Sequence, residues 1–137
     1  MLLTRECDYG VRVIRALADK TKKTVDTIAA EELIPKKYAY KIIKKLERAK
    51  FVKSIRGRNG GYIISKPLDT FSLLDVVVAV DANRHVNECI RDDSVCQFKD
   101  HPTRSCTVHG ELVRVQQLIE DELRSTSMAE ILARKPS

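Results

Sequence analysis

Apolar residues recur at steps of three and four from Leu3 through Cys7, Val11, Ile14, Leu17 and Ala18, so residues 3–18 are predicted to form an amphipathic helix. The polar stretch 19–24 breaks it. Residues 26–33 read as a short second helix starting near Asp26, a residue type that caps helix N-termini well. Pro35 suits the first turn of a third helix. Over 35–50, Ala39, Ile42, Ile43, Leu46 and Ala49 fall on one face, and Lys37, Lys41, Lys44, Lys45 and Arg48 on the other. Two short helices joined tightly, the second basic, predict a helix–turn–helix.

The hydrophobic period then changes to two. FVKSI (51–55) and GYIIS (61–65) alternate and are rich in β-formers, while the glycines and Asn59 of RGRNGG tolerate positive φ. A hairpin is predicted, ended by Lys66-Pro67. FSLLDVVVAVD (71–81) reads as a helix with Ser72 as its N-cap, although VVVAV alone would pass for a strand. Residues 83–106 are polar and irregular. Over 108–125, Val108, Leu112, Val115, Ile119 and Leu123 make one stripe of a helix roughly 27 Å long at ~1.5 Å per residue. Residues 127–133 form a last short helix. The expected fold is mainly α with a small β-hairpin.

Composition narrows the function. A chain of 137 residues suits one domain, or one plus an appendage, and 43% hydrophobic residues supply a core. Ten basic residues stand between Pro35 and Arg58: Lys36, Lys37, Lys41, Lys44, Lys45, Arg48, Lys50, Lys53, Arg56 and Arg58. Glu47 is the only acid there, so this segment carries +9 against +6 for the whole chain, leaving −3 elsewhere. The positive charge is therefore local to the basic helix and the hairpin. A solvated helix face is the plain alternative, but these are the parts that meet phosphate and groove in winged-helix proteins. The opening residues carry Arg5, Glu6 and Asp8 and lack a signal-peptide apolar region, and the longest apolar run, Val76 to Val80, is too short to span a bilayer. A cytoplasmic protein without a membrane partner is expected. No Ser–His–Asp arrangement, Walker motif or nucleotide-binding glycine pattern occurs, so no enzyme is expected.

The stretch CIRDDSVCQFKDHPTRSCTVH (89–109) holds three of the four cysteines and two of the three histidines. In a reducing compartment such a cluster more often binds metal than forms disulfides. Thiolates on a polar loop suit an iron–sulfur cluster. Zinc also accepts three Cys and one His, but its short C-x2–4-C knuckles are missing. Cys106 and His109 share a face if the helix starts near Cys106. Cys7 lies on an apolar stripe and reads as a core residue. His85 and His101 read as plain loop residues, and Asp8 can pair with Arg12 at i+4.

These motifs together resemble the Rrf2 family of bacterial winged-helix regulators, nearly end to end. The resemblance rests on LTRECDYGVRVIRALA, on the RGxxGGY hairpin after a basic helix, on SLLDVVVAVD, and on three loop cysteines with the last followed by xxHxxL. It implies a winged helix–turn–helix DNA-binding domain over 1–82, a cluster-binding cysteine loop over 83–106, and a long dimerisation helix with a C-terminal helix over 107–137. It further implies a homodimer on palindromic double-stranded DNA. Cys89, Cys96 and Cys106 fall where the family's cluster ligands lie. The fourth ligand is a histidine in IscR-like members, matched by His109, and a first-helix aspartate in NsrR-like members, matched by Asp8. His109 is the preferred expectation. The spacing here is C-x6-C-x9-C, with a longer second gap than usual, so the cluster, 2Fe-2S or 4Fe-4S, stays open. Arg56 matches the wing arginine that enters the minor groove, with Arg58 and Asn59 beside it and Gly60 and Gly61 allowing close approach. Lys37, Tyr40 and Lys41 match base-reading positions, and Lys36, Lys44 and Lys45 complete the expected DNA face.

Overall fold

A computed structural model of the chain describes residues 3–136. Six α-helices and one hairpin follow in order: α1 (Arg5–Leu17), α2 (Val25–Glu32), α3 (Lys36–Arg48), β1 (Val52–Ile55), β2 (Gly61–Ile64), α4 (Leu73–Val80), α5 (Thr107–Arg124) and α6 (Met128–Ala133). Short 3-10 turns sit at Leu68–Thr70 and Glu88–Ile90.

The expected helix–turn–helix is α2 and α3. Its boundaries differ slightly from the sequence reading. Thr24, not Asp26, caps α2, its side chain accepting from the Thr27 amide. Pro35 precedes α3 as its cap residue instead of lying inside its first turn. Leu33 ends α2 in the left-handed region at φ 54°. That turn buries Ile34 while leaving Leu33 exposed.

Helix α1 is buried more widely than its sequence stripe indicates. Tyr9, Val13 and Ala16 are buried together with Cys7, Ile14 and Leu17. The helix is packed by α3 on one side and α4 on the other, so two faces lose solvent. Gly10 makes the α4 contact possible: a Cβ there would lie 3.0 Å from a Val80 methyl carbon and 3.3 Å from one of Val76.

Strands β1 and β2 pair antiparallel with Val52 opposite Ile64 and Ile55 opposite Gly61. Lys23 adds a bridge on the far side of β2, its backbone exchanging two hydrogen bonds with Tyr62 at 2.8 and 3.0 Å. The apolar run 73–80 is a helix, and the reason is local. Ser72 and Asp75 form a reciprocal capping box, which satisfies two otherwise orphan donors at its start.

One hydrophobic cluster joins α1, α2, α3, β1, α4 and Met128 of α6. The C-terminal helix is thus part of the same core as α1 to α4, and the Met128 amide donates to the Phe71 carbonyl at 2.9 Å. By contrast, the only buried residue of α5 is Gln116. Val108, Val113 and Leu118 are exposed. No helix among the described residues is long and apolar enough to cross a membrane.

Candidate nucleic-acid interface and cysteine site

The outer face of α3 presents Lys36, Lys37, Tyr40, Lys41 and Arg48 to solvent. Lys36 pairs with Asp26 at 2.7 Å in an open setting, an interaction a phosphate can outcompete. The Lys44 ammonium lies near the faces of Tyr40 and Tyr62, 5.6 and 5.8 Å from their centroids. Tyr62 and then Glu47 push its pKa up. Lys45 is different: its ammonium donates to Glu6 at 2.6 Å and to the Val80 carbonyl at 2.7 Å. Lys41 contacts the other oxygen of Glu6. These two lysines hold the Glu6 carboxyl below its ordinary range, Lys41 more than Lys45.

At the wing tip Arg56, Arg58 and Asn59 are all exposed. Of the wing residues only Gly57 takes positive φ, at 118°; Asn59 does not. Gly60 and Gly61 are required for another reason. A Cβ on Gly60 would sit 2.7 Å from the Ile55 carbonyl oxygen, and one on Gly61 2.7 Å from that of Lys23. Gly60 lets the hairpin close on its own backbone, and Gly61 lets the Lys23 backbone lie against β2.

The cysteine loop wraps the start of α5. Cys106 is the N-cap residue of α5, its sulfur accepting from the His109 amide at 3.3 Å. The Cys96 sulfur accepts from the Lys99 amide at 3.4 Å. Cys89, Cys96 and Cys106 are half-buried thiols without disulfides. A cavity of about 530 Å³ lies between this loop and α5, and its wall includes Cys89 and His109 together with Arg84, His85, Gln116 and Glu120. Cys96 and Cys106 do not line it. Among the described residues no three His, Cys, Asp or Glu side chains converge on one metal position. The donor types present, three thiols and an imidazole, nevertheless fit an iron–sulfur cluster. Buried His109 Nδ1 has no hydrogen-bond partner, as expected of a nitrogen kept for a ligand.

Asp8 is exposed and paired with Arg12 at 3.0 Å. It edges a separate apolar cavity with Leu3, Thr4, Cys7, Val11, Leu73 and Val77, which shares no residue with the cysteine cavity. Within one chain Asp8 and the cysteines are therefore not brought together. Cys7 is a core residue, 2% exposed. His101 lies at the exposed surface. His85 was read from sequence as a plain loop residue, yet it faces the cysteine cavity with its Nδ1 buried and unpartnered. Arg84 and Gln116 also escaped the sequence reading, since neither belongs to a motif. The nearest signal was Gln116 standing between Leu112 and Ile119 on the apolar stripe of α5.

The family model described as Rrf2, iron-dependent transcriptional regulator, matches residues 3–134. Protein aau3 of Rhizobium meliloti (strain 1021) is 26% identical over 139 residues, covering 99% of this chain and 88% of that protein. The fold is similar to that of CymR (YrzC), the global cysteine regulator of B. subtilis, at TM-score 0.75 and 20% identity, with 99% of each chain covered. It is equally similar to T. potens IscR, at TM-score 0.74 and 21% identity, covering 100% of this chain and 93% of that one. With a basic helix–turn–helix, a wing and a family match over nearly its whole length, the chain belongs to the Rrf2 family of DNA-binding transcriptional regulators.

Proposed function

We propose that this regulator binds a palindromic operator as a homodimer and that an iron–sulfur cluster on its cysteine loop sets the affinity. The observation that carries the reading is that Cys89 and His109, whose buried Nδ1 has no hydrogen-bond partner, line one cavity. Cys89, Cys96 and Cys106 would supply three thiolates, and His109 the fourth ligand in preference to Asp8. When bound, the cluster would supply a centre sensitive to oxygen, nitric oxide or the supply of iron or of clusters. The family's description as iron-dependent supports this reading.

The exposed apolar side chains Val108 and Leu118, about 80° apart around α5 at ~100° per residue, support α5 as the dimer element, because burying them against a second α5 removes apolar area from water. Two α3 helices would then enter successive major grooves while the wings reach the flanking minor grooves. Two hydrogen bonds support a physical route from loop to DNA. The cysteine loop begins just after Val80, and the Val80 carbonyl is held by Lys45 of α3. The side chain of Asp81, the next residue, accepts from Thr4 at the start of α1 at 2.7 Å. A change in the loop would thus bear on the two helices that carry and brace the DNA-reading face.

The test is purification without oxygen, followed by iron and sulfide analysis, visible absorption and sedimentation. A coloured dimer whose operator affinity changes when the cluster is removed is the expected result. Colourless protein that binds its operator unchanged would mark a cluster-free regulator. Alanine at Cys89, Cys96 or Cys106 should each abolish stable cluster binding. His109→Ala should do so more severely than Asp8→Ala.

A further inference from the structure

We propose that the cavity between the cysteine loop and α5 binds a small carboxylate, held by Arg84 and His85 at the end away from His109. The inference goes beyond the cluster reading and does not depend on it. Of the three loop cysteines only Cys89 lines this cavity, and among the described residues no set of metal-ligating side chains converges there. What gathers there is unpaired nitrogen. Among the described residues, the buried side-chain nitrogens and oxygens without a hydrogen-bond partner are Arg84 Nε, His85 Nδ1 and His109 Nδ1, and all three residues line this one cavity. Arg84 Nε carries a hydrogen and no lone pair, so it can only donate. His85, in its Nδ1-protonated tautomer, offers a second N–H. The unmet need is for acceptors, which a bound molecule supplies. At about 530 Å³ the cavity has the volume of a small-molecule site.

The surroundings hold these donors in place. Glu120 stands 3.7 Å from Arg84 Nε, near enough to hold the guanidinium but too far to accept from it. Glu120 in turn accepts from the Gln116 side-chain amide at 2.8 Å. The same Gln116, 5% exposed, accepts from the Val86 amide at 2.9 Å. Residues 84–86 are thereby fixed against α5, and the loop cannot swing the donors out to water at low cost. Glu120 lies about three turns of α5 beyond His109, ~16 Å at ~1.5 Å per residue. The carboxylate and a cluster at the His109 end would therefore share no side chain.

Charge around Arg84 selects the class of ligand. Arg91, also on the wall, is taken up by Glu88 and Asp93 at 3.1 and 2.8 Å. Arg84 has Glu120 beside it, and that carboxylate opposes a second large negative charge arriving at the same guanidinium. A phosphate or sulfate brings close to two charges and asks for more donors than two N–H groups. A carboxylate brings one charge and two coplanar oxygens, one for each N–H. Ile90 and Val113 on the same wall offer apolar contact to its carbon body, and Gln117 an amide.

The experiment is thermal unfolding and titration calorimetry of the full chain, both iron-free and as purified without oxygen. The probes are the standard amino acids, the common mono-, di- and tricarboxylates, inorganic phosphate and sulfate, each at millimolar concentration. At least one carboxylate should raise the unfolding midpoint of both forms and titrate to a single site per chain, with phosphate and sulfate inert. Arg84→Met should weaken that carboxylate by at least about tenfold, the loss of one charge-assisted hydrogen bond. Without ligand it should unfold no earlier than wild type, because it removes a buried donor that nothing satisfies. His85→Phe should weaken the same carboxylate. No carboxylate shifting either form would overturn the proposal, and so would phosphate or sulfate binding as tightly as any carboxylate. Arg84→Met that unfolds earlier yet binds the carboxylate unchanged would make Arg84 a structural residue and remove it from the site. Protein that holds no iron when purified without oxygen, but binds the carboxylate, would sink the cluster reading and leave this inference standing.

Discussion

Lys45 Nζ donates to the Val80 carbonyl at 2.7 Å, joining the last turn of α3 to the last turn of α4, where the cysteine loop begins. The same ammonium bonds Glu6 of α1, so one side chain ties together three helices. Lys44, one residue earlier, faces outward beside Tyr40 and Tyr62. Adjacent lysines therefore do different work. Lys44→Ala should weaken binding to all DNA and lower the slope of log affinity against log salt by about one unit, as loss of one phosphate contact does. Lys45→Ala should leave that slope nearly unchanged and instead cost about 1 kcal/mol of stability. That is a charge-assisted bond discounted for partial exposure. Salt-dependent DNA titrations and urea unfolding of both variants separate the two roles.

Glu6 makes part of this tie pH-dependent. Lys41, and after it Lys45, lowers the Glu6 pKa below its ordinary range. A depressed carboxyl contributes stability that is fully present above its unfolded pKa and lost as pH falls through the folded one. Glu6→Gln should therefore lower the urea midpoint at pH 7, and the gap from wild type should close below about pH 4. A gap that persists unchanged at pH 3 would mean that packing, not charge, explains the loss.

Arg56 stands exposed where β1 enters the wing turn. Arg56→Ala should weaken operator binding by ~1–3 kcal/mol and flatten preference at the minor-groove position, with the dimer and iron content intact. Affinity measured across operators altered at single positions is the check. Equal binding to every sequence at wild-type strength would remove Arg56 from the interface.

Two glycines should respond oppositely to alanine. Gly61→Ala sets a Cβ against the Lys23 backbone, with 2.7 Å to its oxygen and 2.9 Å to its carbon, and neither atom can rotate away. A loss of about 1–3 kcal/mol is expected, with DNA binding impaired through a displaced wing. Gly110 in α5 meets nothing within 4 Å, so Gly110→Ala should stabilise by up to about 1 kcal/mol through helix propensity. Thermal unfolding of the pair checks both signs.

The element order was legible in the sequence because each element is specified locally. The period of 3.6 in α1, α3 and α5, the period of two around RGxxGGY, and the Ser72 cap each act over a few residues. The basic face of α3 followed from spacing for the same reason, and the three loop cysteines stood out by type alone. Other features depend on what lies across the fold. Tyr9, Val13 and Ala16 are buried because α1 is packed from two sides, which a single apolar stripe does not encode. Met128 joins the core because α5 carries α6 back to Phe71. Lys45 looks like any other lysine of the basic face until α1 and α4 bring Glu6 and Val80 to its ammonium. His85 and Arg84 looked like ordinary loop residues, and only the packing of residues 84–86 on Gln116 and Glu120 gives their nitrogens a cavity wall. Sequence determined which elements form and where charge and thiols sit along them, since backbone preference and hydrophobic period are short-range. Tertiary structure decided which polar groups are left for DNA or a ligand and which are used up inside the chain, since burial and hydrogen-bond partners come from residues far apart in sequence.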